Sequence, residues 1–333
     1  MLDSSLLVVT GILALIVILA NVAEQRIELR PLLYVALAAI NVTVVLSTQE
    51  AFGAEAALIA LGLMLLATLP LLRPLRGLLV RMLPSRQQLS DGSWVGFNPE
   101  APTHVTALVF CVYLVANTLL SAVTQGGVSG ISEDTAASAE SLVSLTGLLT
   151  QMLIFVAFGL LGAGFGLRRS LASVMARLGL RAPTLNEIGI GIGIAILLIF
   201  VVYGLGVIWQ FLAPAEVFED QTSLSGLIAN GIDTMLTAFV LAFSAAVGEE
   251  IIFRGALQPV FGVLFSSAIF ALTHIQYALT PAVLIIFVVS LGFAYVRRRY
   301  NTTVAIISHF FYNFALAALL VYSRYVFTTM ERL

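Results

Sequence analysis

The run Gly248-Glu249-Glu250-Ile251-Ile252-Phe253-Arg254-Gly255 puts two adjacent carboxylates at the end of a long apolar stretch. A charge in mid-membrane costs roughly 2.5–3.5 kcal/mol on insertion scales, so each must face protein or a water-filled cavity. Arg254 falls four residues after Glu250, on the same helical face, so that pair can neutralise itself. Glu249 is turned about 100° away and is left to point at something else. Two of the three histidines can supply it. His274 closes Phe270-Ala271-Leu272-Thr273-His274, and His309 opens His309-Phe310-Phe311-Tyr312-Asn313, whose first and last residues share one helix face. With a rise of 1.5 Å per residue, Glu249, His274, His309 and Asn313 lie roughly 9–18 Å from the cytoplasmic ends of their helices. They could then surround one cavity open to the cytoplasm. Such a set moves protons and holds an oxyanion.

The elements that position these residues are membrane spans. Hydrophobic residues make up 60% of the chain, charged residues only 10%, and the mean hydropathy is +1.04. A soluble domain is about a quarter charged. The apolar residues fall into ten blocks, about 4–22, 32–48, 54–72, 104–124, 144–167, 188–212, 226–257, 262–277, 281–296 and 302–323. Most are near the ~20 residues that a helix needs to cross ~30 Å of hydrocarbon. They are continuous rather than alternating, which excludes a β-barrel. The expected fold is therefore all-α, a polytopic transmembrane helical bundle of about ten spans. The first block lacks a basic flank and a cleavage site and is read as a retained span.

Arginine orients the bundle, since all sixteen basic residues are arginine. Fourteen of them fall on one side: Arg26 and Arg30, four between 73 and 86, four between 168 and 181, Arg254, and 297–299. The alternate loops carry acids instead: Glu50, then Glu133, Asp134 and Glu140, then Glu216, Glu219 and Asp220. The positive side is cytoplasmic, so both termini are expected outside it. The protein is expected to be a multi-pass integral membrane protein; its lysine-free, Gly- and Ala-rich composition fits a bacterial plasma membrane better than an animal one. A net charge of −2 offers nothing to a nucleic acid.

Three segments follow: an amino-terminal bundle of about five spans (1–167), a cytoplasmic linker (168–187) and a carboxy-terminal bundle (188–333). The linker reads as a basic amphipathic helix lying at the interface. Asn21, Asn41, Asn117 and Gln151 are read as helix–helix hydrogen bonders. Gly189, Gly191, Gly193, Gly204 and Gly206 suggest close helix packing. The function of the first bundle is not legible, although its spans leave room for a membrane-protein partner. Cys111, the single cysteine, is read as a buried hydrophobe.

Glu249-Glu250-x-x-x-Arg254, then Phe270-x-x-x-His274, then His309-x-x-x-Asn313, in that order on successive helices, resembles the CAAX protease and bacteriocin-processing family (also called Abi). The resemblance covers roughly 226–320 and implies a glutamate-dependent intramembrane endopeptidase needing no cofactor and no metal. By motif position, Glu249 and His274 would activate a water, His309 and Asn313 would form the oxyanion hole, and Glu250 and Arg254 would be a supporting ion pair. The implied substrate is a membrane-associated or lipid-modified protein or peptide.

Rival readings differ in chemistry or class. One glutamate with two histidines is a common zinc set, but no His-Glu-x-x-His helix occurs. Serine-type proteolysis would need Gly-x-Ser-x-Gly, which residues 127–130 do not provide, and aspartyl-type chemistry has only Asp233. His104 is read as an interface residue. Polar residues that merely tie helices together, and a non-catalytic scaffold, immunity or regulatory protein of the same family, are the alternatives outside enzymology.

Overall fold

The computed structural model describes residues 4–88, 94–124, 144–215, 217–218, 226, 229–274 and 282–330. The acids of the second and third outer loops, residues 127–130 and Arg332 lie outside them. The described chain is almost wholly helical, with one two-stranded antiparallel ribbon pairing Gln87–Gln88 with Trp94–Val95. Its helices are α1 (Ser4–Ala23), α2 (Arg30–Thr68), α3 (Arg73–Leu79), α4 (Pro102–Thr124), α5 (Leu145–Gly162), α6 (Leu171–Leu178), α7 (Leu185–Leu212), α8 (Met235–Glu250), α9 (Gln258–Leu272), α10 (Val283–Arg299) and α11 (Thr302–Met330). A π-helical segment, Ile251–Leu257, joins α8 to α9.

Among the described residues six helical stretches are long and apolar enough to cross a membrane, and two of these, Ile27–Leu71 and Met235–Leu272, contain a non-helical glycine and fold back on themselves. Tyr34 and Arg76 would stand about 60 Å apart on a straight helix, yet the Arg76 guanidinium donates to the Tyr34 hydroxyl at 3.1 Å. Phe253 and Phe270 would be about 25 Å apart, yet their rings meet at 5.1 Å. The reversals sit at Gly53 (φ 84°) and Gly262 (φ 83°), a backbone region open mainly to glycine. At Gly262 a Cβ would also lie 2.7 Å from Pro84. With these two hairpins opened into their arms, and with the shorter α1 and α10, each of the ten apolar blocks has its own rod. An impermeant thiol reagent should label single cysteines placed at Ser4 and Arg324 from outside, and one at Arg298 only from within. Labelling of Ser4 and Arg324 on opposite faces would contradict the arginine-derived orientation.

Helix ends follow their sequence signals. Ser144, Ser170, Thr184 and Thr234 accept backbone N–H bonds as N-caps. Thr184 and Glu187 complete a capping box at the start of α7. Glu187 also pairs with Arg181 and accepts from Asn301 at 3.3 Å, which ties the starts of α7 and α11 together. The linker helix α6 forms as expected, but it is docked onto protein. Val174 and Leu178 are fully buried against Ala163 and Ile251, while Leu171 and Met175 stay exposed. Helix α5, grouped by sequence with the amino-terminal bundle, interlocks with the carboxy-terminal half. A Cβ on Gly248 would meet Phe155 at 3.2 Å, and one on Gly159 would collide with the Ile251 side chain. Of the α7 glycines, only Gly191 sits in such a contact, against Ile307; Gly189, Gly193, Gly204 and Gly206 face open space. Close packing at those four is therefore not what the structure shows.

Candidate active site

Four helices and the π segment meet around Glu250. This carboxylate is fully buried. Its Oε2 lies 3.3 Å from Arg254 Nε, and its Oε1 lies 2.9 Å from His309 Nδ1. The ion pair expected four residues apart therefore forms, within a wide π turn. Such turns are rare and frequent at functional sites. Arg254 is held from three further sides. Its Nη2 donates to the backbone oxygen and hydroxyl of Ser290 on α10, at 3.2 and 3.1 Å. Its guanidinium lies 4.5 Å above the Phe270 ring and 5.7 Å from Phe293. Nε and Nη1 make no hydrogen bond among the described residues, so the buried charge is balanced by the nearby Glu250 carboxylate, the two bonds of Nη2 and the ring faces.

His309 links the ion pair to α11. Its imidazole stacks on Phe293 at 4.5 Å, and Asn313 Nδ2 lies 3.1 Å from its Nε2. The amide nitrogen donates, so Nε2 accepts and the imidazole proton sits on Nδ1, donated to Glu250. The result is one polar chain, Arg254–Glu250–His309–Asn313, crossing from the π segment to α11. In this state His309 has no N–H left over for an oxyanion, whereas Asn313 has a second one.

His274 stands at the end of α9, half-buried, with Nδ1 2.7 Å from the Phe270 backbone oxygen. That bond holds the proton on Nδ1 and leaves Nε2 as the basic nitrogen. Phe270 packs against both histidines, 4.6 Å from His274 and 6.2 Å from His309. Glu249 is half-buried, and its Oε2 is out of contact with water and has no hydrogen-bond partner among the described residues. It lies thirteen residues before Gly262 and His274 twelve after, so the hairpin sets both at about 18–20 Å from its turn.

The structure thus joins Glu250, Arg254, His309 and Asn313 directly, places His274 one ring away, and leaves Glu249 Oε2 without a hydrogen-bond partner among the described residues. Ser290 and Phe293 complete the setting of Arg254 and His309 and were not anticipated. A lone serine in an apolar span is a weak signal, and a phenylalanine among many carries none. Among the described residues no three His, Cys, Asp or Glu side chains are grouped to hold a metal.

Residues 231–315 match the family model described as type II CAAX prenyl endopeptidase, Rce1-like. No curated protein and no solved structure matches the chain. The matched segment contains Glu249, Glu250, Arg254, His274, His309 and Asn313, all within the hairpin and its two partner helices. Over that segment, about a quarter of the chain, this polytopic helical membrane protein is similar to the Rce1-like type II CAAX prenyl endopeptidases, a family of proteases.

Proposed function

We propose that the protein is an intramembrane endopeptidase that cleaves a membrane-associated or lipid-modified protein or peptide with a glutamate- and histidine-activated water. The observation that carries this reading is the unpartnered Glu249 Oε2. A buried carboxylate oxygen without a donor is costly unless its partner arrives with the reaction, and a water molecule admitted as substrate opens the site is such a partner. Glu249 takes a proton from that water, with His274 Nε2 as its second acceptor. The hydroxide adds to the scissile carbonyl carbon and the carbonyl becomes an oxyanion. The remaining N–H of Asn313 donates to that oxyanion, and His309, anchored on Glu250, fixes the amide in place. Collapse breaks the C–N bond, and the proton held by Glu249 passes to the leaving amine. A base able to take a proton near neutral pH and a donor aimed at the developing charge are what peptide hydrolysis requires.

The test is a proteomic comparison of membranes from cells carrying the natural protein and Glu249→Ala. A precursor that accumulates with the variant, and its shortened form with the natural protein, would identify the substrate. Identical peptide ends in both would contradict proteolysis. Because the proposed water is activated without a cation, cleavage should survive phenanthroline. Reversible loss restored by zinc would instead establish metal catalysis.

A further inference from the structure

A cavity of about 440 Å³ lies on the side of the π segment away from the site residues, between α1, α4, α5 and the start of α9. None of the six site residues lines it; Ile252 and Phe253 form the shared wall. The cavity has two unlike ends. At the cytoplasmic end stand Arg86, Arg168, Arg169 and Arg177, with Glu24 the only carboxylate among the lining residues. At the other end the walls are Leu13, Phe110, Leu114, Ile154, Phe155 and Phe158. Between Leu13 and Glu24, α1 rises about 16 Å, roughly one leaflet of a ~30 Å hydrocarbon core.

Among the described residues none of the four arginines has an ion pair. Arg168 donates to Asn21 at 2.8 Å, Arg169 to the Ala163 backbone oxygen at 2.6 Å, and Arg177 to that of Gly255 at 3.4 Å. Arg86 lies over the Trp94 ring at 4.3 Å. Each guanidinium has five N–H groups, so most of their donors remain unused. The other polar groups there are already engaged: Glu24 accepts from Thr103, and His104 Nδ1 accepts from the Asn98 backbone N–H. Burial, followed by repulsion from Arg169 and Arg297, lowers Arg177 to about 10. Deeper in, the Thr106 hydroxyl is buried without a partner.

Clustered cations with free donors match an acceptor-only anion, and they match it better than a peptide, which needs donors and acceptors alternately. We propose that this cavity binds a membrane phospholipid with an anionic, phosphate-bearing headgroup, held by Arg168, Arg169 and Arg177 with an acyl chain between α1, α4 and α5. This site is independent of the proteolytic reading, because it lies outside the catalytic chain and is tested by binding alone.

The experiment uses the full chain purified in detergent, with native mass spectrometry and thermal melting. Phosphatidylglycerol, phosphatidylcholine and inorganic phosphate are added separately. Phosphatidylglycerol should give a retained adduct and raise the melting temperature, and the other two should not. The Arg169→Gln/Arg177→Gln variant should bind roughly tenfold or more weakly, because two charge-assisted contacts are lost. Ala107→Phe, which fills the apolar part, should weaken phosphatidylglycerol binding without touching an arginine. Equal binding of the two lipids, equal effect of phosphate alone, or undiminished binding in both variants would overturn the proposal.

Discussion

Glu249→Gln is expected to reduce turnover by roughly a hundred- to ten-thousand-fold, the range that a positioned acid–base group contributes, with insertion and melting unchanged. The substitution keeps shape and volume. It removes no hydrogen bond at Oε2, because that atom has none among the described residues. Asn313→Ala should lose a transition-state donor, which elsewhere costs about 2.7–4 kcal/mol, with little change in substrate affinity. Cleavage of the substrate found by proteomics, measured beside detergent melting, decides the matter. Full cleavage by both variants would mean that proteolysis is not this protein's role, and a scaffold function of the amino-terminal and carboxy-terminal bundles together would take its place.

Glu250→Ala should fail in a different way. It strands the buried Arg254 charge and removes the acceptor of His309 in one step. Breaking a buried pair by deleting one partner costs about 3–5 kcal/mol. Melting should therefore drop before activity can be assessed. The paired change Glu250→Leu/Arg254→Met should recover most of the lost melting temperature, since apolar replacement of a whole buried pair is often neutral. It should remain inactive, because His309 Nδ1 then loses the carboxylate acceptor that fixes its tautomer. A double variant as unstable as Glu250→Ala would show that the Arg254 charge is not the source of the damage.

Much of this architecture was legible in the sequence because hydropathy marks helices directly, and the breaks between apolar blocks fell at 48–54 and 257–262, where Gly53 and Gly262 reverse the chain. The Glu250–Arg254 pair followed from a spacing of four, and His309 with Asn313 likewise. What spacing cannot supply is register between helices. Ser290 reaches Arg254 across thirty-six residues, and Phe293 finds His309 only because α10 and α11 pack together. The π turn was equally hidden, since apolar residues with one arginine and one glycine carry no mark of a widened turn. The α7 glycines misled because composition does not tell a packed face from one open to its surroundings. Arg86 and the linker arginines were legible as topology signals, but their convergence on one cavity depends on contacts between both halves of the chain.

The spacing of the Glu250–Arg254 pair also bears on how the protein is made. His309 follows Glu250 by fifty-nine residues, so a growing chain must commit α8 and the π turn to the bilayer well before that imidazole exists. Arg254 is only four residues away, and it neutralises Glu250 as soon as the turn winds. At Glu250 the membrane-insertion machinery therefore meets a dipole instead of a bare carboxylate, and the later arrival of α11 completes the site around a pair that is already neutral. Exchanging Arg254 for a neutral residue would then reduce the yield of inserted protein during synthesis, as well as the stability of the finished fold.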